Sequence, residues 1–290
     1  MKEVKARVLE QGASLKDEDG HEWQVSILLF ADDTLLIGDS EEKLQKLVTE
    51  FGNVCRDRKL SVNVGKSKVM RVGRERGVRE LNVLLDGVQM EEVQAYRYLG
   101  VDMSADGMMD EEVRHRIVDA KKSAGALKKV WRERSLSMKA KVGMYEGIVE
   151  PSLLYGSEVW CLNVQNRRRM EAVEMNCLRS MCGVRRIDRI SNAEIRRRCN
   201  KEMGVGNKID QSVLRWFGHM ERMENERLVK RVYVSKVEGR RARGRPRKRW
   251  LDGVQEALEK RGLDIQEVRD CVTDRSEWRN VCRGARRAAE

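Results

Sequence analysis

The residues best suited to chemistry are Asp32 and Asp33, adjacent carboxylates inside the run Val25-Ser26-Ile27-Leu28-Leu29-Phe30-Ala31-Asp32-Asp33-Thr34-Leu35-Leu36-Ile37. Apolar, β-prone residues on both sides predict a hairpin with the two acids at its turn. Two like charges held together at a tip cost stability unless a cation shares them. A divalent ion such as Mg²⁺ takes oxygen ligands, from one or two carboxylates plus substrate phosphates. Two such ions about 4 Å apart clamp the attacking and leaving oxygens of an in-line phosphoryl displacement. The competing reading of the same dipeptide is a polar hairpin turn without chemistry.

The elements that must position these acids follow in order. Residues 1–24 are polar and mixed, and predict a loop or a short strand leading into the hairpin. Ser40, followed by Glu41 and Glu42, predicts a helix start, with acids at the positive end of the dipole. Leu44, Leu47, Val48, Phe51, Val54 and Cys55 recur at helical spacing, so this helix covers one face of the sheet. The segment Arg58 to Met70 predicts a tight connection into a strand, with Asn63 and Gly65 at its turn positions. Asp86-Gly87 between β-prone flanks is a strong hairpin signal, and Tyr96-Arg97-Tyr98-Leu99-Gly100-Val101 predicts another strand.

From about Asp110 the pattern turns helical. Val113, Ile117, Ala120, Ala124, Leu127 and Trp131 mark one face; a second helix, capped by Ser137, carries Met138, Val142, Tyr145, Ile148 and Val149. Pro151 kinks that helix or starts a new one. Ser191–Glu194 and Asp264–Glu267 have capping-box spacing, while Leu214–Met220 and Trp250–Val254 predict apolar helix faces.

Charge is distributed unevenly along the 290 residues. The net charge is +12, with 59 Lys and Arg against 47 Asp and Glu; residues 166–290 hold 33 of the bases and 19 of the acids. The whole excess therefore lies in the C-terminal part, which points to a polyanion partner, most simply nucleic acid. No apolar run approaches membrane-spanning length, and the N-terminus lacks the apolar core of a signal peptide. Seven Cys at irregular spacing fit reduced thiols better than a disulfide framework. These features predict a nuclear or cytoplasmic protein, neither secreted nor membrane-bound.

Phe30-Ala31-Asp32-Asp33 resembles the Phe-Ala-Asp-Asp signature of reverse transcriptases, specifically those of non-LTR (LINE-type) retrotransposons. Leu60-Ser61-Val62-Asn63-Val64-Gly65-Lys66-Ser67 is similar to the Leu-x-x-Asn-x-x-Lys-Ser/Thr element that follows the catalytic hairpin in that family. Tyr98-Leu99-Gly100 looks like the segment that grips the primer end there, and Leu153 to Trp160 resembles the end of the thumb. The resemblance implies an α+β right-hand polymerase, its antiparallel hairpins packed on a helix. The partial palm would span residues 1–105, a helical thumb 106–165, and an all-α basic extension 166–290.

The implied reaction is RNA-directed DNA polymerisation: a primer 3′-hydroxyl attacks the α-phosphate of a dNTP, with Mg²⁺ (or Mn²⁺) at the carboxylates. Asp32 would be a metal ligand, and Asp33 a ligand or a nearby electrostatic support. Lys66 would stabilise charge or donate a proton to the leaving pyrophosphate, against the reading of a surface lysine. Tyr98 and Gly100 would touch the primer, whereas without the resemblance they read as an ordinary strand. Lys121, Lys122, Lys128, Lys129, Lys139 and Lys141 would face the backbone of an RNA template and its DNA primer or target.

Two features of the extension carry separate readings. Arg243-Gly244-Arg245-Pro246-Arg247-Lys248-Arg249 resembles an AT-hook, with arginines inserted in a narrow minor groove. Alternatively Pro246 opens a helix running through Trp250, Val254 and Leu258. Cys177, Cys182, Cys199 and His219 are zinc-ligand types at spacings that fit no usual finger, and read as buried thiols.

The departure from the family lies upstream. Its fingers and first palm strand, which supply another metal-binding aspartate, precede this hairpin, yet only 31 residues precede Asp32 here. None of Glu3, Glu10, Asp17, Glu18, Asp19 and Glu22 sits in an apolar strand. The expectation is a C-terminal fragment, inactive alone, with an exposed palm edge available for association. The alternative is a non-catalytic nucleic-acid-binding remnant of such an element.

Overall fold

A computed structural model of the chain describes residues 12–17, 20–73, 79–235, 248–268 and 270–284. It divides into two compact units, Met1–Met108 with Glu224–Arg243, and Met109–Met223 with Gly244–Glu290.

In the first unit the described residues form ten short strands, paired two by two. The polar stretch before the acidic hairpin, expected as a loop or one strand, forms a hairpin of its own: β1 (Ala13–Lys16) pairs antiparallel with β2 (Glu22–Val25). Trp23 is the reason: its ring is buried, and the Arg231 guanidinium lies 4.1 Å from its centroid, on the helix Leu228–Val234. β3 (Ile27–Phe30) and β4 (Asp33–Leu36) pair antiparallel as expected. Helix α1 (Glu41–Asp57) starts where the sequence predicts, the Ser40 hydroxyl accepting the Lys43 N–H at 3.2 Å.

Helix α1 carries two small apolar clusters on neighbouring sides. Leu47, Val54 and Phe51 pack with Ile27, Leu29 and Leu36 of the hairpin. Val48 packs with Val69, Leu81, Val83 and Leu85. Each fully buried side chain of this kind stabilises by roughly 1.5–3 kcal/mol. The polar side of α1 docks the next segment: the Gln45 amide donates to Leu84 O at 2.9 Å and accepts from Leu84 N at 2.7 Å, replacing a strand partner.

The remaining strands are shorter. β5 (Lys68–Val69) lies parallel to β8 (Glu91–Glu92), the one departure from antiparallel pairing. β6 (Leu84–Leu85) and β7 (Val88–Gln89) form the hairpin that Asp86-Gly87 predicts, with positive φ at both turn residues (50° and 79°). β9 (Ala95–Tyr98) and β10 (Val101–Ser104) close the same way over Leu99 and Gly100.

The second unit is helical. α2 (Asp110–Arg132) is followed by α3 (Met138–Met144), capped by Ser137 as predicted, whose hydroxyl accepts the Ala140 N–H. A π-turn, Tyr145–Val149, then leads into α4 (Glu150–Leu154), which has Pro151 in its first turn. The wider turn changes the phase of the helix. Tyr145, Val149 and Leu153 are buried, but Ile148, expected on the apolar face, is half exposed. Lys141, expected to face outward, is buried; Lys121, Lys122, Lys128, Lys129 and Lys139 are exposed.

α5 (Val164–Met181) packs along α2, α6 (Asn192–Arg198) follows on it, and α7 (Val205–Glu221) forms the centre of the tail. Residues 106–165 and 166–290 thus both contribute helices to this unit. α8 (Trp250–Glu259) and α9 (Arg275–Arg283) pack on α7. Trp278 lies over Gly218, its Nε1 donating to Leu214 O at 3.0 Å. A Cβ at position 218 would collide with that indole. Ser191 caps α6 as expected, but the Asp264–Glu267 box closes a turn, with Asp264 N donating to Glu267 at 3.1 Å. No helix among the described residues is long and apolar enough to cross a membrane.

Candidate active site

The acidic hairpin closes over two residues, Ala31 and Asp32, with Phe30 and Asp33 as its last pair. Asp32 therefore lies in the turn itself, whereas Asp33 opens β4. Ala31 takes φ 50°, the left-handed conformation that a two-residue hairpin asks of its first turn residue. Strand alternation sends Ile27, Leu29, Thr34 and Leu36 to the α1 side and Leu28, Phe30, Asp33 and Leu35 to the other. Asp33 thus shares its face with Phe30, which is 63% exposed.

Both carboxylates are exposed, and neither has a hydrogen-bonding or ionic partner among the described residues. Their lone pairs are turned to solvent, as a cation-binding tip requires. The donor set fits one divalent ion, whose remaining sites water and phosphate oxygens would fill. It does not fit two. A second ion asks for a carboxylate from another segment, and no three His, Cys, Asp or Glu side chains converge among the described residues. Asp17 is engaged in the β1–β2 turn, accepting the His21 N–H at 2.8 Å, and Glu22 lies in β2. Glu3, Glu10, Glu18 and Asp19 lie outside the described residues.

Lys66 sits in a turn built by Asn63. The Asn63 side-chain oxygen accepts Lys66 N–H at 3.1 Å, and its carbonyl accepts from both the N–H and the hydroxyl of Ser67. This is the tight connection that the sequence predicts, and it presents the Lys66 side chain to solvent. Tyr96, overlooked in the sequence, fixes that turn from β9: its hydroxyl donates to Lys66 O at 3.4 Å. The signal was available as Tyr96 and Tyr98, two alternate tyrosines on one strand face. Tyr98 is half-buried beside the turn that Gly100 completes. The structure thereby joins the Lys66 turn to the Tyr98 hairpin. No hydrogen bond or ion pair joins either to Asp32 or Asp33 among the described residues.

In the tail, Arg243, Arg245 and Arg247 lie outside the described residues. Lys248 is held inside its unit, donating to Leu162 O at 3.1 Å and pairing with Glu256 at 2.6 Å. Arg249 pairs with Asp252 at 3.0 Å in extended backbone just before α8, so that helix begins at Trp250, beyond Pro246. Of the cysteines, Cys182 and Cys199 bring their sulfurs to 3.4 Å. Burial pushes the Cys177 and Cys199 thiols up to about 12, and His219 lies beside Trp216 at the surface.

Comparison with known proteins gives two likenesses. Residues 3–103, about a third of the chain, match the family profile described as reverse transcriptase (RNA-dependent DNA polymerase). The matched segment contains the acidic hairpin, the Lys66 turn and the Tyr98 hairpin. An uncharacterized transposon-derived protein of Caenorhabditis elegans is 27% identical over 267 residues, covering 88% of this chain and 94% of that protein. No solved structure matches the chain significantly.

Proposed function

We propose that this chain is a reverse transcriptase-derived protein of a non-LTR retrotransposon. Residues 1–105 act as a partial palm, 106–165 as a thumb, and 166–290 as a basic extension. The observation that carries the reading is the exposed, unpartnered Asp32-Asp33 pair on a hairpin packed against α1, inside the segment that matches the family. The family generally uses divalent ions. Here Asp32 and Asp33 would hold one Mg²⁺ or Mn²⁺, which when bound neutralises phosphate charge.

The protein's own groups would do the positioning. Lys66, on its Asn63-braced turn, faces solvent where a dNTP phosphate would be met, and the Tyr98–Gly100 hairpin holds the primer end. The partners are an RNA template with its DNA primer or target, met in the nucleus or cytoplasm. With one carboxylate pair on one turn, the chain lacks the donors for a second ion, and the primer hydroxyl lacks its activation. Binding without extension is therefore the activity of the chain alone.

The test is incorporation of labelled dNTP on primed RNA with Mg²⁺ or Mn²⁺, beside an Asp32→Asn, Asp33→Asn double variant. We expect the parent to bind primed RNA and Mn²⁺, the double variant to lose the Mn²⁺ alone, and neither to extend primer above a buffer control. Extension by the parent that the variant lacks would make the chain a working polymerase with a third carboxylate. Failure to bind primed RNA at all would refute the reading.

A further inference from the structure

Most arginines of the second unit are engaged within it. Arg167 pairs with Asp210 at 2.5 Å, Arg196 with the fully buried Glu174 at 2.6 Å, and Arg197 and Arg198 with Glu194. The turn between α5 and α6 is different. Arg185, Arg186 and Arg189 are exposed, and their guanidinium groups enter no ion pair among the described residues. Between them stands Ile187, 80% exposed, the most exposed large apolar side chain among the described residues.

The turn is built to hold this arrangement. The one acid in it, Asp188, is engaged with the backbone, accepting the Arg185 N–H at 2.7 Å. Arg179 of α5 clamps the far end, donating to Ile190 O at 2.8 Å and to the Asn192 side chain at 2.9 Å. The backbone is thus fixed while three cations and one aliphatic side chain project from it. Guanidinium groups match phosphate oxygens in geometry as well as charge. An isoleucine among them has the form of the apolar wedges that enter between base steps. Asn, Gln and Glu, which read base edges, are absent from residues 184–190.

We infer that the Arg185–Arg189 turn is a sequence-independent contact for duplex nucleic acid, in which Arg185, Arg186 and Arg189 take phosphates and Ile187 presses into a base step. The inference rests on the nucleic-acid reading above and adds a second contact to it, in the tail. A base step already unstacked by a mismatch costs less to open, so the wedge favours duplexes that contain one.

The test uses the full chain and two labelled duplexes, one fully paired and one with a central mismatch, titrated at several salt concentrations. Each lost phosphate contact removes about 0.9 from the slope of log affinity against log salt. The Arg185→Ala, Arg186→Ala, Arg189→Ala variant should therefore flatten that slope by about 2–3 and weaken both duplexes alike. Ile187→Ser should keep the slope and lose the preference for the mismatch. These side chains support no packing, so both variants should melt with the parent. An unchanged slope in the triple variant overturns the contact, and an unchanged mismatch preference in Ile187→Ser overturns the wedge. Loss of binding to polyglutamate, with duplex binding intact, would assign the turn to an acidic protein and equally overturn it. A parent that binds no nucleic acid removes the polymerase reading too; a parent that binds, with variants unaffected, removes this inference alone.

Discussion

The second unit buries Glu112, Arg116, Lys141, Glu150, Glu174, Lys201 and Asp210, whereas the first buries only Asp102 and Lys230 among its described charged residues. The apolar side shows the same contrast. In the second unit Phe217, Trp250 and Trp278 stack around α7, with ring centroids 5.7–6.5 Å apart. In the first, two small clusters astride α1 carry strands of two to four residues. Buried ion pairs add little net stability, but breaking one leaves an uncompensated charge and costs a great deal. The helical unit is therefore bound to one arrangement. The hairpin unit, with short strands and little buried surface, belongs to the part of a protein that opens locally. The candidate chemistry lies in that looser unit.

Three substitutions would break or sharpen this comparison, read by chemical denaturation. Trp278→Ala empties the space over Gly218 and leaves Leu214 O without its donor. The expected loss is about 3–5 kcal/mol, as for buried aromatic truncations generally. A loss below that of Leu47→Ala in the hairpin unit, about 2–3 kcal/mol, would reverse the ranking of the two units.

The second concerns Lys201, buried between Glu146 (2.8 Å) and Glu150 (3.0 Å). Lys201→Met strands those carboxylates and should cost about 3 kcal/mol near neutral pH. The pH dependence has a definite sign. The hydrogen bond from Lys201 holds the Glu146 carboxyl below the usual carboxylate range. Its contribution is present above the unfolded value of about 4.3 and fades as pH falls through the folded one. Burial pulls the Lys201 ammonium down, but the hydrogen bonds and charges of Glu146 and Glu150 outweigh it and leave it raised. That contribution is full below about 10.4 and is lost as pH rises through the raised value. Stability measured across this range should fall at both ends in the parent and fall less in the variant; parallel profiles would show that the cluster is not ionic.

The smallest effect belongs to the hairpin unit. Gly87 takes φ 79° in the Asp86-Gly87 turn, so Gly87→Ala should cost about 1 kcal/mol. A neutral result would mean that the turn is already frayed.

What the sequence could show follows the range of the forces involved. Turn chemistry and helix caps are local, so the hairpins at Asp86-Gly87 and Asp32-Asp33, the caps at Ser40 and Ser137, and the Asn63 turn were legible from a few residues. Long-range pairing was not. Glu112 and Arg116, at an i,i+4 spacing that suits an exposed pair, are both buried and bonded at 2.6 Å. Lys141 and Lys201 read as solvated. The β1–β2 hairpin was hidden because its strands are polar, and what buries Trp23 is Arg231, about two hundred residues away in sequence. Within the candidate site the hairpin and the Lys66 turn were legible separately. Their link through Tyr96 depended on a hydroxyl reaching a carbonyl 30 residues away.

The π-turn at Tyr145–Val149 contains, in effect, one residue more than an α-helix of the same rise needs. Each residue turns a helix by about 100°, so that surplus sets where everything after it points. Gly147 is exposed, and a Cβ there would meet nothing within 4 Å. Deleting it removes no contact, yet it would wind the segment back to a plain helix and rotate Glu150 and Leu153 by that angle. Glu150 would leave Lys201 and Lys208, and Leu153 would leave the interior. At this point the chain is more sensitive to being one residue shorter than to any change of side chain at Gly147, and the position that counts most for the geometry is the one that touches least.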